Sequence, residues 1–188
     1  MSETTRQPIS RRTVAKGAAW TAPVILGGIA APAYAASGSK PIATAGPACK
    51  LPGGSCDKDP VNVKWGYLFT FTVSNNDSES VWLYAESGHT PEVNNTMGFD
   101  LRYAGGYGSN GTQYSATDNI EIAPNSYVTF TMIIKDNKNS SNASGTITIE
   151  FDWGHTADPD GDSDHVDQLV VNVNVPGTNP CVKCQPPA

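Results

Sequence analysis

Apolar side chains recur at every second position through most of the chain beyond residue 60, and no other feature limits the fold so strongly. A strand sends successive side chains to opposite faces, whereas a helix requires a period of 3.6. Val61, Val63, Trp65, Tyr67, Phe69, Phe71 and Val73 share one parity, which predicts one long strand or two joined by a bend at Gly66. Val81, Leu83 and Ala85 alternate next, then Met97, Phe99, Leu101 and Tyr103. Ile120 and Ile122 run into the turn signal Ala123-Pro124-Asn125-Ser126, after which Val128, Phe130, Met132 and Ile134 resume the alternation. Ile147, Ile149, Phe151 and Trp153 form a further strand, and Leu169, Val171, Val173 and Val175 the last. The intervening stretches, such as Asn75-Asn76-Asp77-Ser78, 105–111 and 137–144, are polar and aperiodic, and read as loops. About seven strands broken by turns predict an all-β, antiparallel sandwich, with a barrel of similar strand count as the alternative.

The stretch from Ile120 to Thr131, strand then Pro-containing turn then strand, resembles segments of bacterial immunoglobulin-like surface domains, as does Gly66 to Leu83. The resemblance implies an immunoglobulin-like β-sandwich and a surface or secreted setting. It rests on pattern over most of the chain beyond the leader, not on a diagnostic motif.

The N-terminus carries a different signal. Ser10-Arg11-Arg12-Thr13-Val14-Ala15-Lys16 sets paired positive charge before the weakly apolar stretch 17–31, and Ala33-Tyr34-Ala35 precedes Ala36 as a small-residue cleavage site. A retained membrane anchor needs about 20 strongly apolar residues, whereas this stretch is mostly alanine and glycine with Pro23 inside it. The segment resembles the twin-arginine leaders of small secreted actinobacterial proteins, whose pattern is Ser-Arg-Arg-x-Phe-Leu-Lys. Ser10, Arg11, Arg12 and Lys16 match it, while Val14 and Ala15 replace Phe and Leu. The resemblance implies export of a folded protein by the twin-arginine (Tat) translocase, followed by cleavage by signal peptidase. The expected organisation is a signal peptide over 1–35, an extension with a Cys pair over 36–58, the β-sandwich over 59–176 and a Cys/Pro-rich tail over 177–188. No Cys follows the cleavage site and no sortase-type signal closes the chain, so neither a lipid nor a covalent wall anchor is expected.

Without residues 1–35 the chain keeps eight basic and 17 acidic residues, a net charge of −9. Such a field repels phosphate backbones and anionic lipid, which argues against nucleic-acid or direct membrane binding. The four cysteines fall into two close pairs, Cys49 with Cys56 and Cys181 with Cys184. Outside the cytoplasm they are expected to be oxidised, and four cysteines permit three connectivities. Local pairing closes two tiny loops, whereas pairing between the clusters closes a loop of over a hundred residues and contributes roughly 4 to 5 kcal/mol. That difference tilts the expectation towards a double staple across the termini, but the sequence leaves the connectivity open. A redox or zinc role for the cysteines is the less favoured reading. Cys181-Val182-Lys183-Cys184 lies in a Pro-rich tail with no helix to activate a thiol, and the Cys49–Cys56 spacing does not suit a zinc half-site.

Three further groups bear on chemistry. Alternate carboxylates at Asp158, Asp160, Asp162 and Asp164 offer oxygen ligands to calcium, but the EF-hand order fails, with Leu169 where the closing Glu belongs. A solvated hairpin loop is the plainer reading of 152–167. His155 and His165 flank this loop and suit a softer ion, while His89 stands alone in a loop. Trp82 and Tyr84 have the opposite parity to Val81 and Leu83, so one of those faces is expected to lie outside the core and to offer ligand contacts, within a wider aromatic set of Tyr103, Tyr107 and Tyr114. The chain has no Gly-x-Ser-x-Gly elbow and no P-loop, and its acidic residues cluster in predicted loops. The expectation is therefore a secreted or cell-surface-associated, non-catalytic binding or structural module, with an extracellular protein or glycan as partner and no cofactor. The alternative is a secreted protein, enzymes included, that depends on calcium or a transition metal held by the 152–167 loop.

Overall fold

The computed structural model describes residues 40–53, 56–137, 142–161 and 168–186. The predicted leader, with Arg11 and Arg12, lies outside the described residues, as do Asp162, Asp164 and His165. Twelve strands occur among the described residues, and no α-helix: β1 (Ile42–Ala45), β2 (Cys49–Lys50), β3 (Gly66–Asn75), β4 (Val81–Leu83), β5 (Glu92–Asn95), β6 (Leu101–Gly108), β7 (Gln113–Tyr114), β8 (Ile120–Ile122), β9 (Ser126–Asp136), β10 (Gly145–Phe151), β11 (Trp153–Gly154) and β12 (Leu169–Val175). Every ladder between these strands is antiparallel. One sheet runs β1-β3-β9-β6-β7 with β2 also on β3; two smaller ones run β12-β10-β5 and β11-β4-β8.

The spine of the large sheet is the β3–β9 ladder, in continuous register from Gly66 opposite Lys135 to Asn75 opposite Ser126. Alternation sends Tyr67, Phe69, Phe71 and Val73 into the core and turns Thr70, Thr72 and Ser74 outward. Residues of the two smaller sheets, among them Leu83, Ile122, Ile149, Phe151 and Val173, meet them from the other side in one shared cluster, an arrangement consistent with a sandwich. Phe71 anchors it, 5.4 Å from the ring of Phe130 and 5.8 Å from that of Phe151. Each such fully buried aromatic stabilises the fold by roughly 2 to 3 kcal/mol.

Each of the seven alternating runs contains a strand, β3, β4, β6, β8, β9, β10 and β12, but with five further short strands the described residues hold twelve, not about seven. The alternation from Met97 overshoots: β6 starts at Leu101, and Asn95 closes the turn before it, its side chain accepting from the Met97 and Phe99 amides and donating to the Phe99 carbonyl. β10 and β12 pair from Gly145 opposite Val175 to Phe151 opposite Leu169, and after β10 the chain enters β11, whose buried Trp153 pairs with Leu83 of β4, so the start of 152–167 is not a solvated loop.

Within the predicted extension 36–58, β1 pairs with Phe71–Ser74 and β2 with Tyr67 and Leu68. Of the two readings of Val61–Val73, the bend at Gly66 is the one found, with a strand only on its C-terminal side. The chain turns at Gly66, whose φ of 141° suits glycine, and β3 begins there. Val61 and Val63 consequently join a second cluster on the outer face of the large sheet, with Leu68, Ile133, Leu51, Cys49, Cys56 and Cys181, instead of continuing the inward row of Tyr67 and Phe69.

Candidate functional site

Disulfides join Cys49 to Cys181 and Cys56 to Cys184, so the two cysteine clusters pair with one another. Hydrogen bonds brace the same junction. The Lys50 amide donates to the Asn179 carbonyl at 2.8 Å, and the Cys181 amide donates to the Lys50 carbonyl at 2.8 Å. The described part of the predicted tail, 177–186, is thereby held beside β2, across a parallel bridge between Lys50 and Pro180.

The predicted aromatic set does not assemble. Trp82 is half-buried in the middle strand of the β11-β4-β8 sheet. Tyr84 is buried, 2% exposed, with its hydroxyl donating to the Thr156 carbonyl at 2.8 Å, so it is not presented to a ligand as its parity implied. The strand ends at Leu83, and beyond it the parity rule no longer governs direction. Tyr103 is buried edge-on to Phe151, Tyr107 donates to the Cys184 carbonyl at 3.1 Å, and Tyr114 lies against Phe130. Burial raises the Tyr103 hydroxyl pKa far above its ordinary value, with Asp118 and Tyr114 adding to the shift. Burial also raises that of Tyr107, partly offset by a hydrogen bond with Thr131.

Of the alternate carboxylates, Asp158 and Asp160 are described, and both are exposed. Asp158 is engaged in a local turn, its Oδ1 accepting from the Asp160 amide at 3.0 Å and its carbonyl from the Thr156 hydroxyl at 2.6 Å. Among the described residues no group of three or more His, Cys, Asp or Glu side chains is placed to hold a metal ion. His155 sets Nδ1 3.0 Å from the Ser80 carbonyl and its ring edge-on to Trp153. His89, isolated in the sequence, meets Asp152 Oδ2 at 2.9 Å, while Gln168 Nε2 donates to Oδ1 of the same carboxylate at 3.2 Å. Sixty-three positions separate His89 from Asp152, and no local pattern links them.

An open cleft adjoins Trp65, which the alternation assigned to the same row as the core aromatics. Its place just before the Gly66 turn leaves the side chain 37% exposed. A cleft of about 330 Å³ opens on one side, walled by Trp65, Pro52, Gly53, Lys50, Asn142, Asn179 and their neighbours. Gly53, at φ 68°, brings its backbone against the indole; a Cβ there would stand 3.4 Å from Trp65 Nε1. Lys50 Nζ reaches across the cleft to Asn142 Oδ1 at 3.3 Å. A second cleft of about 350 Å³ shares Trp65 and is lined by Lys64, Lys135, Asp57 and Asn137 among others. Lys64 pairs with Asp57 at 3.4 Å on the surface. The first cleft thus combines one indole, amides, a hydroxyl from Thr178 and one ammonium, with no carboxylate among the described residues of its wall.

These features define an all-β, antiparallel, doubly disulfide-stapled domain with an aromatic cleft at its staple. Two such disulfides point to an oxidising, extracellular environment. Among the described residues no helix is long and apolar enough to cross a membrane. No protein-family model matches the chain, and no curated protein matches it. Among solved structures it is similar to the FixG-related protein from Vibrio parahaemolyticus, at 12% identity and a TM-score of 0.37, over 71% of this chain and 94% of that one.

Proposed function

We propose that the chain from about Ala36 onward is a secreted or cell-surface-associated, non-catalytic binding or structural module with an immunoglobulin-like sandwich, exported by the twin-arginine route and cleaved by signal peptidase. The observation that carries this reading is the pair of disulfides between the chain's two ends, Cys49–Cys181 and Cys56–Cys184. Disulfides persist in oxidising surroundings. Here they also fix the walls of an open aromatic cleft, a feature suited to recognition by a rigid surface. Its partner is an extracellular glycan or protein. The acidic balance of residues 36–188 argues against nucleic acid.

Cell fractionation with intact-mass measurement tests the proposal. The expected product starts near Ala36, lacks four hydrogens and is recovered outside the cytoplasm, in the envelope or the medium. A reduced, full-length chain in the cytosol would overturn the reading.

A further inference from the structure

We propose that the Trp65 cleft is a binding site for a short acidic saccharide, with the indole as stacking platform and Lys50 as the contact for the sugar's negative charge. This names a ligand class for the binding module proposed above and rests on that reading.

Four observations converge on it. Trp65 carries an exposed indole at the boundary of two clefts, so a ligand lying across it gains contacts on both sides. Pyranose rings present a face of C–H groups and a rim of hydroxyls. An indole with neighbouring amides and a hydroxyl matches that alternation, since apolar surface covers the ring face while Asn142, Thr178 and Asn179 provide donors and acceptors for the rim. The volume of about 330 Å³ lies at the lower end of small-molecule sites, about 300 to 1,000 Å³. The walls are also held in place before any ligand arrives, because Lys50 and Pro180 flank the Cys49–Cys181 staple and Lys50 and Asn179 are joined through their backbones. Ordering costs that weaken binding in a mobile loop are thereby reduced.

Charge selects the acidic class. Residues 36–188 hold eight basic side chains against 17 acidic ones, yet Lys50, Lys64 and Lys135 all line the two clefts that share Trp65. Among the described residues no carboxylate lines the first cleft, where Lys50 is the ammonium, whereas in the second Asp57 and Asp136 match Lys64 and Lys135 in number and Asp57 pairs with Lys64. Charges farther away than about 8 Å are largely screened at physiological salt, so a short ligand in the first cleft senses Lys50 before the acidic surface beyond it. A long polyanion would meet the repulsive field of the whole module, which is why a short saccharide suits the site and a nucleic acid does not.

The test uses the oxidised chain from Ala36 to Ala188, titrated with a trisaccharide of galacturonic acid and with a neutral glucose trisaccharide. Binding is followed by tryptophan fluorescence and calorimetry up to about 10 mM ligand, which fills about 90% of a site with a dissociation constant of about 1 mM. Saturable binding of the acidic sugar is expected, with the neutral one about tenfold weaker or more. Trp65→Ala should weaken the acidic sugar at least about tenfold, as loss of an aromatic anchor does, while Trp65→Phe retains part of the affinity. Lys50→Gln should remove most of the preference for the acidic sugar and leave neutral binding in place, and Trp82→Ala should change neither. Thermal melts by circular dichroism confirm that each variant is folded. Absence of saturable binding, or binding that survives Trp65→Ala, would overturn the site; equal affinities for the two sugars would overturn the acidic class. If the sugars fail while the mature protein is still found oxidised outside the cytoplasm, the ligand assignment falls and the module reading stands.

Discussion

Removal of the disulfides one at a time and together should reveal a strong coupling between them. Cys49–Cys181 spans 132 positions and Cys56–Cys184 spans 128, so either one alone closes nearly the whole domain into a ring. For a loop of that length, loop-closure entropy stabilises the fold by about 5 kcal/mol. The second bridge then closes only the small ring formed by the seven-position step from Cys49 to Cys56 and the three-position step from Cys181 to Cys184. A ring of about ten residues is worth about 2.7 kcal/mol on the same scale. Replacing either pair with alanine should therefore cost about 3 kcal/mol beyond the local packing loss, because the surviving bridge still closes the large loop. Replacing both should cost about 8 kcal/mol, leaving about 2 kcal/mol that the two single losses do not account for. Local packing losses enter the single and combined variants alike and cancel from that difference. Urea unfolding of the chain from Ala36 to Ala188, followed by circular dichroism, measures all four species. A coupling within about 0.5 kcal/mol of zero would refute the reasoning, because the two bridges would then not share one loop in the unfolded chain.

Other positions give sharper local outcomes. An added Cβ at Gly66 would collide with the Ile134 carbonyl at a φ of 141°, so Gly66→Ala should lower stability by more than about 3 kcal/mol in the same urea assay. Asn75 is fully buried, donating to the Glu79 and Ile122 carbonyls and accepting from the Asp77 amide, and Asn75→Ala should cost about 2 to 4 kcal/mol by leaving these groups without their partner. The Ser115 amide, helped by the Ser115 hydroxyl, holds the Asp118 carboxyl below its ordinary pKa. Because the folded value is depressed, Asp118 favours the fold above the ordinary carboxylate range and loses that contribution as pH falls through the lowered value. Carboxyl NMR titration should place its midpoint below that of an unstructured Asp, and Ser115→Ala should move it partway back.

Alternation exposed the strands wherever one face met the core and the other met water, as in β10 and β12, whose residues alternate buried and outward along their length. It did not expose β1 or β5, because Ile42–Ala45 and Glu92–Asn95 lie at sheet edges with one face exposed and the other only half-buried, and their sequences show little contrast. Loop-closure energetics favoured pairing between the cysteine clusters but did not separate the two ways of making it, and the structure joins Cys49 to Cys181 and Cys56 to Cys184. Contacts between distant segments left no local trace. His89 meets Asp152 only because 152 sits at the break between β10 and β11, beside the amide of Tyr84.

Trp65 shows why the cleft was hidden. Parity has no means of registering a turn, so Val61, Val63 and Trp65 read as a continuation of the inward row of β3. Glycine at 66 permits the backbone to reverse that assignment, and the three residues then diverge. Val61 and Val63 fold over Leu68 and Ile133, which lie on the outer face of the large sheet and would otherwise meet water. Cys49, Cys56 and Cys181 complete the same cluster, so the disulfides close a second small core as well as joining the ends of the chain. Trp65 emerges at the rim of this cap, between the turn that forms it and the staple that secures it. The residues that stabilise the outer face are thus the ones that set the walls of the cleft, and a substitution that loosens the cap should weaken ligand binding even where it leaves the indole and Lys50 in place.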